Sequence, residues 1–221
     1  MSHKVKILAV TQDTHETYKF AVERPEGYEF TPGQATNVAL ENQDEDPSPF
    51  TFSSLPDDPL LEFTVKTYPD RDGQTDKMRS LQVGDSLLID DPWGAIEYKG
   101  SGLFIAGGAG ITPFLSIFRD LHRKGEMSEN HLLYANTHQR DIIAASELAV
   151  YFGDQVHFYL SEEKVDGYEQ GHIDLNVLRN FIDQINPNYC YVCGTPEMTK
   201  DIVKALKELG IADSKIVQEE S

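Results

Sequence analysis

The chain has 221 residues, 39% of them hydrophobic, which leaves room for one or two domains with real cores. Acids outnumber bases 37 to 19 and the formal net charge is -18, so nucleic acid and anionic membranes are poor partners. Two cysteines, Cys190 and Cys193, are too few for a disulfide scaffold or an iron–sulfur cluster, and the histidines show no metal-ligand spacing, so no metal site is expected.

Up to about residue 100 the chain is β-rich. The segments "KVKILAV", "TYKFAVE", "QATNVAL", "PFTFSS", "LEFTVKTY" and "DSLLIDD" are separated by turn clusters such as "RPEGYEFTPG", "ENQDEDPSP" and "PDRDGQTD". That spacing predicts an antiparallel barrel or sandwich. Beyond residue 100, strands and helices alternate. The strands are "GLFIAG", "HLLYAN", "VHFYLS", "YCYVCG" and "SKIVQ", and the helices are "TPFLSIFRDLHRKG", "AASELAVYF", "DLNVLRNFI" and "PEMTKDIVKALKELG". This is the pattern of a parallel α/β sheet. The change of character falls near "EYKGSG", which predicts two domains, 1–98 and 99–221. No apolar run is long enough to span a bilayer. The opening "MSHKVKILAV" has no signal-peptide apolar core, so the expected location is the cytoplasm.

The stretch "GLFIAGGAGITPFLSIFRD" carries the most chemistry. A buried strand runs into Gly107, Gly108 and Gly110, and a helix leaves with Thr112 and Pro113 in its first turn. Such glycines let a ligand approach the backbone, and free N–H groups at a helix start attract an anion, most naturally a pyrophosphate. Gly108 and Gly110 give G-x-G, but Pro113 stands where the dinucleotide fingerprint has its third glycine. A tight strand-to-helix turn without a ligand fits the same residues. "YCYVCG" sits in an apolar run, and strand alternation points its two cysteines apart, which favours a strand over a dithiol site.

Five segments in order, "PFTFSS", "GQTDKM", "DPWGAI", "AGGAGITPF" and "CGTPEM", resemble the ferredoxin–NADP reductase family of flavin/nicotinamide oxidoreductases. The resemblance covers the whole chain. It implies a flavin-binding antiparallel β-barrel followed by a nicotinamide-binding α/β domain, with FAD and NADH or NADPH as cofactors. It also implies cofactor contacts at Phe50, Thr51 and Ser53, with Thr51 presented to flavin N5. Val65, Lys66 and Tyr68 would run beside the ribityl chain, and Gly73, Gln74 and Thr75 would face the flavin pyrophosphate. Thr75 or Asp76 read equally well as a helix cap. The family's phosphate-binding arginine falls on Ser48, with Arg71 or Lys66 as substitute cations.

On the nicotinamide side the resemblance implies contacts from Gly107, Gly108, Gly110, Ile111, Thr112 and Pro113, and from Cys193, Gly194, Thr195 and Met198. Cys193 would place nicotinamide C4 sterically, so Thr51 and Cys193 are the expected catalytic pair. Asn136, Thr137 and Asp141 would meet the adenosine ribose in the NADH manner, while Arg140 pulls toward NADPH and Asp141 also fits a cap. The function implied is hydride transfer from NAD(P)H to FAD, with electrons passed to a separate acceptor such as a ferredoxin- or flavodoxin-like carrier or a small molecule. Ser48 leaves two alternatives, a free-flavin reductase and a non-catalytic nucleotide-binding subunit.

Overall fold

A computed structural model of the chain describes residues 2–41, 46–68, 73–94 and 96–219. The chain divides into two compact units: Met1–Glu97 with Thr112–Asp120, and Tyr98–Ile111 with Leu121–Ser221.

The first unit holds β1 (His3–Thr14), β2 (Thr17–Glu23), β3 (Gln34–Leu40), β4 (Ser48–Thr51), β5 (Leu60–Lys66), the short helix α1 (Gln74–Met78), β6 (Ser86–Ile89) and β7 (Trp93–Gly94). They form one antiparallel sheet in the order β4-β3-β6-β1-β2-β5, with β7 on β3. β1 serves two partners: His3 to Lys6 pair with β6, and Ile7 to Thr14 pair with β2. Its register slips between Ile7 and Ala9 and again between Gln12 and Thr14. Bulges of this kind bend a strand and increase its twist. The sheet curls until its edges meet at a single bridge, Phe52 to Phe63. It is therefore a barrel-like sheet, joined at one bridge instead of closed by a full ladder. Phe20, Val22, Leu61, Phe63 and Val65 fill its inside, and Phe30 stacks on Phe52 with ring centres 4.3 Å apart.

The second unit contains β8 (Gly102–Gly107), the end of α2 (Thr112–Lys124), β9 (His131–Asn136), α3 (Ala145–Phe152), β10 (Val156–Leu160), β11 (Glu169–Gln170), α4 (Leu175–Ile185), β12 (Tyr189–Cys193), α5 (Pro196–Glu208) and β13 (Ile216–Gln218). Its sheet is parallel throughout, in the order β11-β10-β9-β8-β12-β13. Leu103, Ile105, Leu133, Cys190 and Val192 share one face and pack on Leu178 of α4 and on Ile202 and Leu206 of α5. Alternate residues Phe104 and Tyr191 stack at 4.2 Å. The chain enters at β8, steps outward to β9 and β10, and returns on the other side at β12. The strand order thus reverses at β8. In open α/β sheets, ligands bind beyond the carboxyl ends of the strands at such a switch point.

Residues 112–120 of α2 belong with the first unit through polar contacts. Ser116 Oγ donates to Ser54 O at 2.7 Å, and Arg119 donates to Ser53 O and to Glu62 Oε1, the latter at 2.7 Å. Ser53 Oγ donates to Glu62 Oε1 and accepts from Thr64 Oγ1, each at 2.9 Å. Arg119 and Glu62 are both mostly buried, so removing one leaves the other poorly solvated. Arg119→Ala is therefore expected to cost about 1–3 kcal/mol. Urea unfolding followed by the fluorescence of Trp93, the only tryptophan, checks this; an unchanged midpoint would mean the network contributes nothing.

Candidate functional site

The carboxyl ends of β8 and β12 lie together, and the three glycines of the turn prove to do different work. A Cβ on Gly110 would lie 2.3 Å from Cys193 O and 2.7 Å from Gly194 N, so this glycine lets the two strand ends touch. A Cβ on Gly107 would strike Met198 Sδ at 2.2 Å. Gly108 alone has positive φ, +51, with open space where a Cβ would stand. Close approach by a ligand, expected of all three, is thus geometrically free only at Gly108. Its carbonyl is held by Tyr134, whose hydroxyl donates to Gly108 O at 2.9 Å and accepts from Ile143 N at 3.3 Å. Tyr134 is fully buried and was read from sequence only as a strand residue. A buried tyrosine hydroxyl needs a partner, and that was the available signal.

Ile111 and Pro113 are buried, so their side chains fill the core, and what they offer a ligand is backbone. Thr112 is partly exposed, with Oγ1 3.5 Å from Thr51 Oγ1. Thr195 caps α5, accepting from Met198 N at 3.3 Å.

Cys193 is 8% exposed, and its thiol is pushed up to about 12, chiefly by burial and further by the Glu219 carboxylate. Burial raises Cys190 to about 12 as well. Both cysteines are free and neutral at ordinary pH, which is unlike an activated nucleophile. Glu219, which sequence reasoning missed, follows β13 and is exposed, yet desolvation by the protein beside it raises its carboxyl above the usual range. Only its place just past a terminal strand could have marked it. A groove of about 900 Å³ opens here, lined among others by Cys193, Gly194, Thr199, Val203 and Glu219.

At the end of β9, Asn136 is 8% exposed, and neither amide atom has a hydrogen-bond partner among the described residues. Thr137 is exposed. Asp141 is a cap: its Oδ2 accepts from His138 N at 2.9 Å. The helix it caps is the short turn Gln139–Asp141, where it is the third residue.

In the first unit, Thr51 is 7% exposed and Phe50 packs partly against the barrel core. Ser53 and Val65 are buried, Ser53 in the network of Glu62 and Thr64 and Val65 in the core, so neither side chain faces outward. Lys66 Nζ lies 3.7 Å from Glu16 Oε2 and over the Tyr68 ring, so its charge is already partly engaged. Arg71 lies outside the described residues. Gly73 is the N-cap of α1, and Thr75 lies in its first turn. Gln74 is 8% exposed, and its Nε2 donates to Val38 O at 2.7 Å while Oε1 has no partner among the described residues. Val38 pairs with Ser48 across the ladder, which brings Ser48 to the same corner as Gln74. Among the described residues no group of three or more His, Cys, Asp or Glu could hold a metal ion, and no helix is long and apolar enough to cross a membrane.

Residues 104–204 match the family model described as oxidoreductase NAD-binding domain. Over that stretch the chain is similar to an oxidoreductase NAD-binding domain. Among curated relatives, the naphthalene 1,2-dioxygenase system ferredoxin–NAD(P)+ reductase component of Pseudomonas putida is 25% identical over 96% of this chain and 67% of its own length. The glycine betaine monooxygenase reductase subunit of Chromohalobacter salexigens is 28% identical over 94% of this chain and 61% of its own. The chain thus spans about two thirds or less of these relatives. Among solved structures, the FAD/NAD-binding domain of a Vibrio cholerae nitric oxide dioxygenase superposes with a TM-score of 0.85 at 22% identity, covering 98% of this chain and 97% of that one. The Neisseria gonorrhoeae ferredoxin NADP+ reductase, solved with FAD and NADP bound, gives 0.83 at 22% identity over 97% and 96%. The fold is thus shared with these solved structures over nearly the whole chain.

Two outcomes follow from this geometry. Gly110→Ala forces a methyl into the Cys193 backbone and should cost about 1–3 kcal/mol or more, whereas Gly108→Ala meets open space and pays about 1 kcal/mol for its left-handed backbone. Thermal melts of the two variants compare them, and a milder Gly110→Ala would contradict the packing role.

Because the native thiols ionise near 12 and ordinary ones near 9, unfolding gains ground as pH rises above 9. Labelling of the native cysteines by iodoacetamide should be slow and still accelerating at about pH 10, where an ordinary thiol has levelled off. A plateau near pH 9 would refute the neutral-thiol assignment.

Proposed function

We propose that the chain is an FAD-dependent NAD(P)H oxidoreductase that takes a hydride from NADH or NADPH and hands electrons to a separate acceptor. That acceptor is a ferredoxin- or flavodoxin-like carrier or a small molecule, and the setting is the cytoplasm. The observation that carries the reading is the open, positive-φ backbone at Gly108, two residues before the Gly110 that touches the Cys193 backbone, at the switch point of a sheet whose sequence matches an NAD-binding domain. Relatives that are reductase components of oxygenase systems support it.

FAD, when bound, supplies the conversion of a two-electron hydride into single-electron transfers. The protein's share is positioning. Backbone N–H groups of the Gly108–Ile111 turn hold the nucleotide pyrophosphate. Thr195 and Met198 border the nucleotide, and Cys193 acts by shape, since a neutral buried thiol is no nucleophile. On the flavin side Phe50 and Tyr68 offer aromatic walls, Thr51 offers a hydroxyl, and Gly73, Gln74 and Thr75 offer donors to phosphate. The unpartnered Oε1 of Gln74 and amide of Asn136 mark polar positions in each unit that suit bound cofactors. Hydride transfer needs no general acid or base.

The deciding experiment is a visible spectrum of the isolated protein before and after anaerobic NADH or NADPH. Yellow protein that bleaches supports the reading. Colourless protein whose turnover saturates with added FAD selects a free-flavin reductase, which Ser48 favours. Nucleotide binding with no turnover, even with FAD added, overturns the reading for a non-catalytic subunit.

Ser48 and Gln74 meet at Val38 and both are neutral. Ser48→Arg should therefore tighten FAD binding by roughly tenfold to a hundredfold, because charge-assisted bonds to phosphate are about twice as strong as neutral ones. Titration calorimetry of apo-protein with FAD measures it; unchanged affinity would place the flavin phosphate elsewhere.

A further inference from the structure

The turn after β9 is built together with the loop after β10. Asn136 O accepts from Ser161 N at 3.0 Å and Thr137 O accepts from Glu162 N at 3.2 Å, extending the strand pairing past the sheet edge. Glu163 Oε2 accepts from Gln139 N at 2.7 Å, and Gln139 Nε2 donates to the Tyr168 hydroxyl at 3.1 Å. Glu162 Oε2 lies 3.9 Å from His138 Nε2, and Asp141 Oδ2 lies 3.4 Å from His138 Nδ1. The carboxylates of Asp141, Glu162 and Glu163 thus surround one turn, whose own cation is the exposed Arg140.

Dinucleotide-binding α/β domains set the adenosine ribose at the end of their second strand, and an acid there accepts from ribose hydroxyls while a 2′-phosphate needs cations. β9 is the second strand of this sheet's chain order, and it ends at Asn136 with the buried, unpartnered amide described above. A 2′-phosphate at this turn would bring a dianion up to the Asp141 and Glu163 carboxylates, fixed by hydrogen bonds to backbone, and to the more exposed Glu162 beside His138. Like charges held this close repel strongly, and a side chain already bonded to backbone is hindered from swinging away.

We propose that Glu162 and Glu163, on the loop after β10, are specificity residues that turn away a 2′-phosphate, so that the nucleotide is NADH. The proposal rests on the reading of this sheet edge as a nicotinamide dinucleotide site. Selection here works by repulsion of the wrong ligand as much as by attraction of the right one.

The test is calorimetric titration of the whole protein with ADP-ribose and with 2′-phospho-ADP-ribose, which differ only in the phosphate and need no turnover. The expected result is that ADP-ribose binds about tenfold or more tightly, and that this ratio shrinks as salt is added. In the Glu162→Gln, Glu163→Gln double variant the ratio should narrow about tenfold, with ADP-ribose affinity held within about twofold. Glutamine at 163 still offers an oxygen to Gln139 N, which protects the turn. Equal affinities in the natural protein, a preference for the phosphorylated fragment, a ratio blind to salt, or a ratio unmoved in the double variant would each overturn the proposal while leaving the dinucleotide site intact. Failure of both fragments to bind would overturn the site reading itself, and the proposal with it.

Discussion

The touching of two backbones, Gly110 against the Cys193–Gly194 peptide, sets what else the edge of the parallel sheet can do. With a Cβ position only 2.3 Å from Cys193 O, no side chain fits at 110. The contact pins the turn after β8 to the end of β12 and leaves Gly108 as the outward-facing member of the pair. Tyr134 then secures Gly108 from beneath, its hydroxyl serving as acceptor and donor at once. Each constraint is a matter of packing and buried hydrogen bonding, yet together they expose one short piece of backbone at the switch point of the sheet. Such pre-organisation lowers the ordering cost that a ligand would otherwise meet on binding.

The order of the two sheets was legible because each has its own periodicity. Parallel strands buried on both faces read as continuous apolar runs, as "GLFIAG" does, and all six of its residues are buried or nearly so. The antiparallel strands show mixed patterns bounded by Gly, Pro and Asp clusters. How the first sheet curls was not legible. It depends on two register slips in β1 and on a lone bridge between Phe52 and Phe63, which pairwise alternation does not encode. The allegiance of residues 112–120 was also hidden, since Ser116 and Arg119 find Ser54, Ser53 and Glu62 more than fifty positions away in the chain. Long-range polar partners leave no periodic trace.

For the candidate site, sequence and structure divide along a simple line. Glycines are visible in a sequence, but which atom each one yields to is not, so three look-alike glycines separate into two that admit neighbours and one that stays open. Apolar members of a motif, such as Ile111, Pro113 and Val65, are carried along by the pattern although their side chains are committed to the core. Conversely Tyr134, Arg119 and Glu219 carry no motif. Their parts come from where folding brings them, which only the three-dimensional arrangement reveals.

Charge gives the edge its remaining logic. A protein of net charge -18 must hold an anionic dinucleotide somewhere its own acids do not reach. Residues 98–119, which carry β8, the glycine turn and most of α2, contain no Asp or Glu at all, although the chain has 37. The last turn of α2 carries His122, Arg123 and Lys124, which complement the negative end of the macrodipole, while its first turn has no acid and leaves the positive end unneutralised. Donor N–H groups at the glycine turn therefore face an anion with little opposing field. One strand over, the turn after β9 is ringed by Asp141, Glu162 and Glu163. For a dinucleotide lying along this edge, the acid-free stretch meets the pyrophosphate and the acidic turn meets the ribose. Under the proposed placement, the protein's negative charge would be kept from the place where it repels every dinucleotide and gathered where it repels only one kind.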